Sequence, residues 1–529
     1  MKGDLRVALR IPSGRLPAYV AHAIGLVMDV DGASVVLVIA VPSPDSRRPR
    51  LSAIYDRLER RTLRGGEAAL VTVAFTRPPD VASVVALAPG AQAAALTDAS
   101  PDVLIDLVDS AGPDGLPVPP AGRWRLRYAI GEDGPRDAAV ARPVADTSLV
   151  GSALSIELED GRTFEACRSV GSVARIGFGR TRDAIYWQSA TFPARRLARL
   201  VSGAAIPGDG DVEPSQAPHA PRSPAATPSA APFLGLAKAL AAKVLERILY
   251  RADWAVFSRK RAANNPPPRD LTGFVPVASP PGRFYADPFV IVDGEHPTLY
   301  VEDCPSGAHR GRISALTAGD DGRWGSPAVI LADIEHRAYP HVITTSSGQL
   351  MTPDSGRAGG VDVFRRAGVD GTWLPAHRWL DGLAASDPTL IERDGRLWLF
   401  VAMTGRGMNP WDELQLYSAP GVDGPWSPHP LNPVVADCRR ARPAGRVFEI
   451  DGKLVRPAQD CSVSYGRRIV LNEIRTLTTT EYAEAPIATI EPEGIHDVTR
   501  THTYSVDGRV EALDGYLRRR RFMPRRQAR

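Results

Sequence analysis

The sequence predicts an α/β domain at the front of the chain and an all-β, five-bladed propeller behind it. The propeller rests on two observations. Short signatures open apolar stretches at ADPFVI (286–291), AYPHVI (338–343), SDPTLI (386–391), ARPAGRVF (441–448) and THTYSV (501–506). With Pro288, Pro340, Pro388, Pro443 and Thr503 taken as equivalent, the steps are 52, 48, 55 and 60 residues, a spacing that marks a propeller or solenoid. Each signature is also followed by a polar turn and a second apolar run: Asp293-Gly294, Ser347-Gly348, Asp394-Gly395, Asp451-Gly452 and Asp507-Gly508. Asp-Gly between apolar runs signals a hairpin, because its left-handed turn matches the twist of the strands. The front domain rests on a third observation, strand-like runs alternating with a helical pattern.

Taken in order, LRVAL (5–9) and SVVLVIAV (34–41) read as strands around an apolar-periodic helix near 15–29. The runs VTVAF (71–75), VLIDLV (103–108), WRLRYA (124–129) and ALSIEL (153–158) carry the α/β pattern on, giving a domain over 1–202. Residues 203–233, rich in Pro, Ala and Ser with little to bury, read as a linker. Leu236, Leu240, Val244 and Ile248 then form a stripe, which predicts an amphipathic helix over 234–260 packed against the propeller, the alternative being a membrane-surface helix, with a connector to 270. Residues 271–515 supply five four-stranded blades, with Pro tolerated because it opens a strand. A basic tail, 516–529, follows; seven arginines fall in the last twelve residues with no acid among them. A solvated end or a transient contact with an anionic membrane fits that charge, and no specific nucleic-acid partner is expected.

Composition places the chain among globular proteins: 529 residues, 43% hydrophobic, net charge +4. Cys167, Cys304, Cys438 and Cys461 have no paired spacing, so neither a zinc site nor a disulfide framework is expected, and a reducing, cytoplasmic setting is. The first twenty residues carry charges and Pro where a signal peptide needs apolar residues, and no 18-residue apolar run predicts a spanning helix. No cofactor or metal is predicted.

FYADPF, HRAYPHV, SDPTL, LWLF, GPWSPHPLNPVV, ARPAGRVF and RPAQDCSVSYG together resemble the N-terminal region of plant glucosamine inositolphosphorylceramide transferase and its standalone bacterial relatives. The resemblance covers about 250–515, and its propeller is similar to that of family 43 glycoside hydrolases. The front domain is similar to a formyltransferase domain without its catalytic Asn and His, since SAGPDGLPVPPAGRWRLRYA, which follows VLIDLV, holds no His.

The resemblance implies a site where the signatures line the channel mouth: Asp287, Tyr339, Asp387, Arg442 and His502. Glycoside hydrolysis needs two carboxyl groups across the scissile bond, one as base and one as acid. Asp287 takes the place of the family's base, and Asp387 that of the residue that tunes and orients. The family's proton donor is a Glu opening the fourth blade, where this chain has Arg442, which gives up no proton. Glu302, Asp354, Asp460 and Glu473 are the alternative acids, and Asp460, in the RPAQD run, is preferred. The expected substrate-binding residues are Tyr339, Arg442, Arg456, Gln459 and His502. Structural roles compete with these: Asp before Pro caps turns, and Arg456 with Asp460 would make an inter-blade ion pair. Asp287, Asp387 and Arg442 are expected in one pocket, the arginine keeping both aspartates ionised. The function so implied is a carbohydrate-active protein holding a phosphate- or carboxylate-bearing sugar conjugate in glycan or glycolipid assembly, its status as an enzyme open. The alternative is a non-catalytic propeller serving binding or assembly.

Overall fold

A computed structural model describes residues 4–41, 68–69, 71–73, 84–86, 89–108, 115–128, 149–173 and 178–203 of the front part. It further describes 237–261 apart from 239–240, 243 and 247, and 266–520 apart from 308–309, 334, 356–358 and 368–370. The predicted linker and most of the tail lie outside the described residues. The chain divides into two compact units, 1–240 with 405–409, and 241–404 with 410–529.

The first unit holds a seven-stranded sheet in the order Val84–Ala86, Ala33–Val41, Leu5–Pro12, Val103–Asp106, Arg123–Tyr128, Val150–Glu157, Thr163–Gly171. The first four pairings are parallel and the last two antiparallel. Helices Ala18–Met28, Pro89–Ala99, Phe178–Ser189 and Phe192–Val201 belong to the same unit. Val7, Leu9, Ile105 and Trp124 pack with Tyr19, Tyr186 and Trp187 in its main core. At the carboxyl end of the central strands, buried Asp106 accepts hydrogen bonds from Arg10, Arg123 and Arg125. Of the VTVAF run only Thr72–Val73 is a described strand, and it pairs with Leu16–Pro17 outside the large sheet.

The second unit holds five four-stranded sheets, which are the five blades. Their inner strands are Arg283–Ile291, Ala338–Thr345, Ala385–Arg393, Phe448–Ile450 and Tyr504–Asp507. Each of the five Asx-Gly or Ser-Gly turns foreseen from sequence leads from an inner strand into the second strand of its blade. The fifth blade is closed across the chain: Tyr504–Asp507, Val510–Arg520, Tyr250–Lys260 and Val275–Pro276 lie side by side.

That closure corrects two expectations. The described residues of 237–249 are helical, but Tyr250–Lys260 is a strand, in an antiparallel ladder of eleven pairs with Val510–Arg520. Periodicity favoured helix there; a full ladder and the burial of Val256 and Phe257 outweigh a local preference of tenths of a kcal/mol per residue. The propeller therefore starts at Tyr250 rather than 271, and Tyr516–Arg520 belong to its last strand rather than to a tail. Among the described residues of that helix, Val244, Leu245, Ile248 and Leu249 are all exposed rather than packed.

Candidate functional site

Three of the inner strands carry the same irregularity. In the first blade Ala286 pairs with Glu302 and Phe289 with Tyr300, so Asp287 and Pro288 together oppose one residue. Tyr339-Pro340 and Asp387-Pro388 do the same in the second and third blades. This is a bulge, and its first residue is left-handed each time: φ is +48° at Asp287, +45° at Tyr339 and +51° at Asp387. Such backbone in a residue with a side chain costs about 1–3 kcal/mol and persists where the surroundings hold it.

What holds it is a set of carboxylates. The bulge frees one backbone N–H from the ladder, and that N–H donates to the preceding blade: Asp287 N to Asp514 Oδ2 at 3.2 Å, Tyr339 N to Asp287 Oδ2 at 3.1 Å, Asp387 N to Asp354 Oδ2 at 3.1 Å. The acids thus stitch neighbouring blades while meeting near the propeller axis. Tyr339 extends the stitching, its hydroxyl lying 2.8 Å from Thr389 Oγ1 and accepting from Gly445 N at 2.7 Å. Gly445 has φ +121° and a Cβ there would meet Tyr504 O at 1.9 Å, so only glycine fits.

On one side of the cluster stands His502, with Nδ1 2.5 Å from Asp514 Oδ2 and Nε2 3.5 Å from Asp287 Oδ1. Thr503 Oγ1 donates to Asp287 Oδ1 at 2.8 Å. Trp254 stacks on the imidazole, centroids 3.8 Å apart and planes 10° apart. Gly466 of the YG pair is left-handed and lies where a Cβ would meet His502 Cβ at 2.6 Å, which explains that motif. On the other side Arg442 grips Asp387, Nε to Oδ2 at 2.6 Å and Nη2 to Oδ1 at 3.1 Å, and donates from Nη1 to Pro410 O at 3.1 Å. Gln459 Nε2 donates to Asp387 Oδ2 at 3.1 Å and to Pro443 O at 3.0 Å.

Burial dominates the electrostatics. It pushes Asp387 up to about 7, against the pull of Arg442, and raises Asp287 against the pull of His502. The expectation that Arg442 would keep both aspartates in the ordinary range is therefore wrong: desolvating a carboxylate in a crowded acidic interior outweighs one cation. Glu302, opposite Ala286 in the first blade, is raised well above the usual carboxylate range, by burial and then by Asp287, Asp354, Asp514 and Asp387. For His502 burial disfavours the charge, but Asp514 and Asp287 more than offset it and the net shift is upward. Asp287, His502 and Asp514 offer one ligand atom each within 4.8 Å, though a cation there would compete with the contacts the imidazole already makes.

Asp287, Tyr339, Asp387, Arg442, Gln459 and His502 thus share one contact network. Asp460 and Arg456 do not enter it. Asp460 takes hydrogen bonds from Arg468 Nε at 2.8 Å and Ser462 N at 2.9 Å, while Arg456 pairs with Glu484 at 2.7 Å. Both are ion pairs within the fourth blade, so Asp460 stands apart from the cluster it was expected to serve as acid, and the Arg456–Asp460 pair is not formed. Glu473, the fourth alternative, sits against Lys453 at 3.1 Å. Asp514 and Trp254 were missed. Asp514 was legible, since second-strand runs also end in acids at YVED, MTPD and PAQD; Trp254 was hidden by the helical reading. A cavity of about 420 Å³ lies at the opposite ends of the inner strands, among Ile343, Leu390, Arg446 and Asp507, and includes none of the predicted site residues.

The fold and this cluster define a five-bladed propeller with an acidic, hydrogen-bonded axial site. Residues 271–503 match the family model described as the N-terminal region of Glucosamine inositolphosphorylceramide transferase 1. Among curated proteins, Glucosamine inositolphosphorylceramide transferase 1 of Oryza sativa subsp. japonica is 32% identical over 211 residues, 39% of this chain and 28% of the relative. That of Arabidopsis thaliana is 29% identical over 235 residues, 41% of this chain and 31% of the relative. The chain thus matches less than a third of each relative's length. Solved structures with some likeness include RS223-β-xylosidase, 11% identical with a TM-score of 0.34, covering 45% of this chain and 93% of that one. An exo-1,5-α-L-arabinanase from a bovine ruminal metagenomic library is 14% identical with a TM-score of 0.31, covering 41% and 87%. Likeness of that degree adds nothing to the fold, which rests on the strand pairings.

Proposed function

We propose that the propeller binds a sugar conjugate at the axial cluster and serves glycan or glycolipid assembly, with Asp287 and Asp387 accepting from sugar hydroxyls. The supporting observation is the trio of strained bulges that brings Asp287, Tyr339 and Asp387 into one buried, acidic hydrogen-bond network with Arg442 and His502. The match of 271–503 to a family named for glucosamine inositolphosphorylceramide transfer points to the substrate class. If the site is hydrolytic, Asp287 takes the place of the base and the acid has to come from a carboxyl other than the Arg442 position, Glu302 being the first to test because burial and neighbouring acids raise it well above the usual carboxylate range. An anionic group on the conjugate would have to share Arg442 with Asp387. A cytoplasmic setting and a formyltransferase-like front domain complete the proposal.

The second reading, a binding or assembly module without catalysis, is favoured by one contact. Arg442 stands where a proton donor is expected and is itself engaged by Asp387 and Pro410 O. A thermal-shift panel of neutral sugars, sugar phosphates and nucleotide sugars separates binding from pure scaffolding, and an aryl-glycoside assay separates binding from hydrolysis. A panel in which nothing raises Tm would overturn the sugar-binding reading.

A further inference from the structure

The helix ahead of the closing strand has all its described residues exposed, among them four large apolar ones: Val244 at 58%, Leu245 at 56%, Ile248 at 54% and Leu249 at 37%. At 100° per residue these four fall within about 140° of arc, one face of the helix. A continuous apolar face of this kind in water marks a surface with a missing partner.

Its surroundings identify the partner's chemistry. The helix runs into Tyr250, which pairs with Arg520, while residues 251 and 252 pair with Arg519 and Arg518. Arg519 and Arg520 are exposed. Arg518 reaches Glu246 at 3.2 Å and lies over the Tyr250 ring at 3.9 Å, fixing the foot of the helix to the last strand. Arg500 covers Tyr516 at 3.8 Å beside it. Apolar side chains, two half-buried tyrosines and a cationic fringe in one place are the composition of a helix that lies in an anionic lipid interface. A protein partner would have to match the apolar face and the arginines together; a bilayer supplies both from one surface.

The location adds a consequence. Trp254, which stacks on His502, is four residues from Tyr250, about 13 Å of strand. The helix therefore leaves the propeller at the end where the axial cluster lies, opposite the cavity among Ile343 and Arg446. We infer that helix 241–249, together with Arg519 and Arg520, docks this end of the propeller on an anionic bilayer surface. The inference does not depend on sugar binding.

The full-length protein, mixed with sedimenting vesicles of phosphatidylcholine with or without phosphatidylserine, tests it. Sedimentation is expected only with phosphatidylserine and is expected to weaken as salt rises. Val244→Glu with Ile248→Glu, both exposed and so neutral to folding, should reduce binding by at least roughly tenfold, since the apolar contact is lost. Arg519→Glu with Arg520→Glu should abolish the phosphatidylserine dependence. Failure of the wild type to sediment with anionic vesicles overturns the proposal, as does unchanged binding in the Val244→Glu, Ile248→Glu variant. Sedimentation velocity guards the remaining case: a vesicle-independent dimer that the same variant dissolves would give the face to a second copy and overturn it too.

Discussion

Arg442 holds Asp387 across the boundary between the fourth and third blades through two hydrogen bonds, 2.6 and 3.1 Å long, with both side chains buried. Removing one member of such a pair leaves the other charge buried alone. Arg442→Met should therefore lower propeller stability by about 3–5 kcal/mol, and Arg442→Met with Asp387→Leu should recover most of it. Urea unfolding followed by tryptophan fluorescence checks both. An Arg442→Met protein as stable as the wild type would mean that the pair contributes nothing to the fold.

The pH dependence of stability follows from the raised carboxyls. An acid whose folded value exceeds its unfolded value binds more protons when folded, so its contribution is present at low pH and is lost as pH rises. For Asp387 the window runs from the ordinary 3.8 of an aspartate to about 7. Glu302 acts in the same direction, and so does His502, whose raised value means stability lost as pH climbs through the folded value. The Tm of the propeller transition should fall between about pH 5 and pH 8. Glu302→Gln should flatten that fall, and a Tm that rises over the interval would contradict it.

Much of this was legible before any coordinates. The period set by Pro288, Pro340, Pro388, Pro443 and Thr503 gave five blades, although Pro288, Pro340 and Pro388 do not open their strands as expected but sit at bulges within them, where the missing N–H costs no ladder bond. The same signatures brought Asp287, Tyr339, Asp387, Arg442 and His502 to one end. Two things were not legible. Local periodicity could not show that Tyr250–Lys260 closes the fifth blade, since its partner strand lies some 260 residues away in sequence. Nor could the RPAQD motif reveal that Arg456 and Asp460 are satisfied inside their own blade, because a motif records which residues are fixed and not which neighbours fix them.

Tyr339 joins three blades through one hydroxyl, which meets Thr389 and accepts from Gly445 N. Tyr339→Phe leaves a buried N–H without its acceptor, which costs about 1–3 kcal/mol. Chemical denaturation should show a loss in that range with the fold otherwise kept. No measurable loss would mean that Gly445 N finds another acceptor.

Closure by Tyr250–Lys260 sets where the propeller can be cut. A chain starting at residue 237 should fold and unfold cooperatively, whereas one starting at 262 leaves the Val510–Arg520 edge open and Val275–Pro276 without a partner. In the intact protein, limited proteolysis should cut first within 203–233. A stable, monomeric fragment from 262 onward would remove the closing strand from the account.

Asp287 makes the most direct test of the axial site, because it takes hydrogen bonds from Thr503 and Tyr339 and faces His502. Isothermal titration of the wild type and of Asp287→Asn with glucosamine, glucosamine 1-phosphate and myo-inositol 1-phosphate measures what it contributes. At least one probe should bind the wild type and bind the variant at least tenfold more weakly, about 1.4 kcal/mol. Heat from none of the three, or equal affinity in the two proteins, would contradict a sugar-binding role for this cluster.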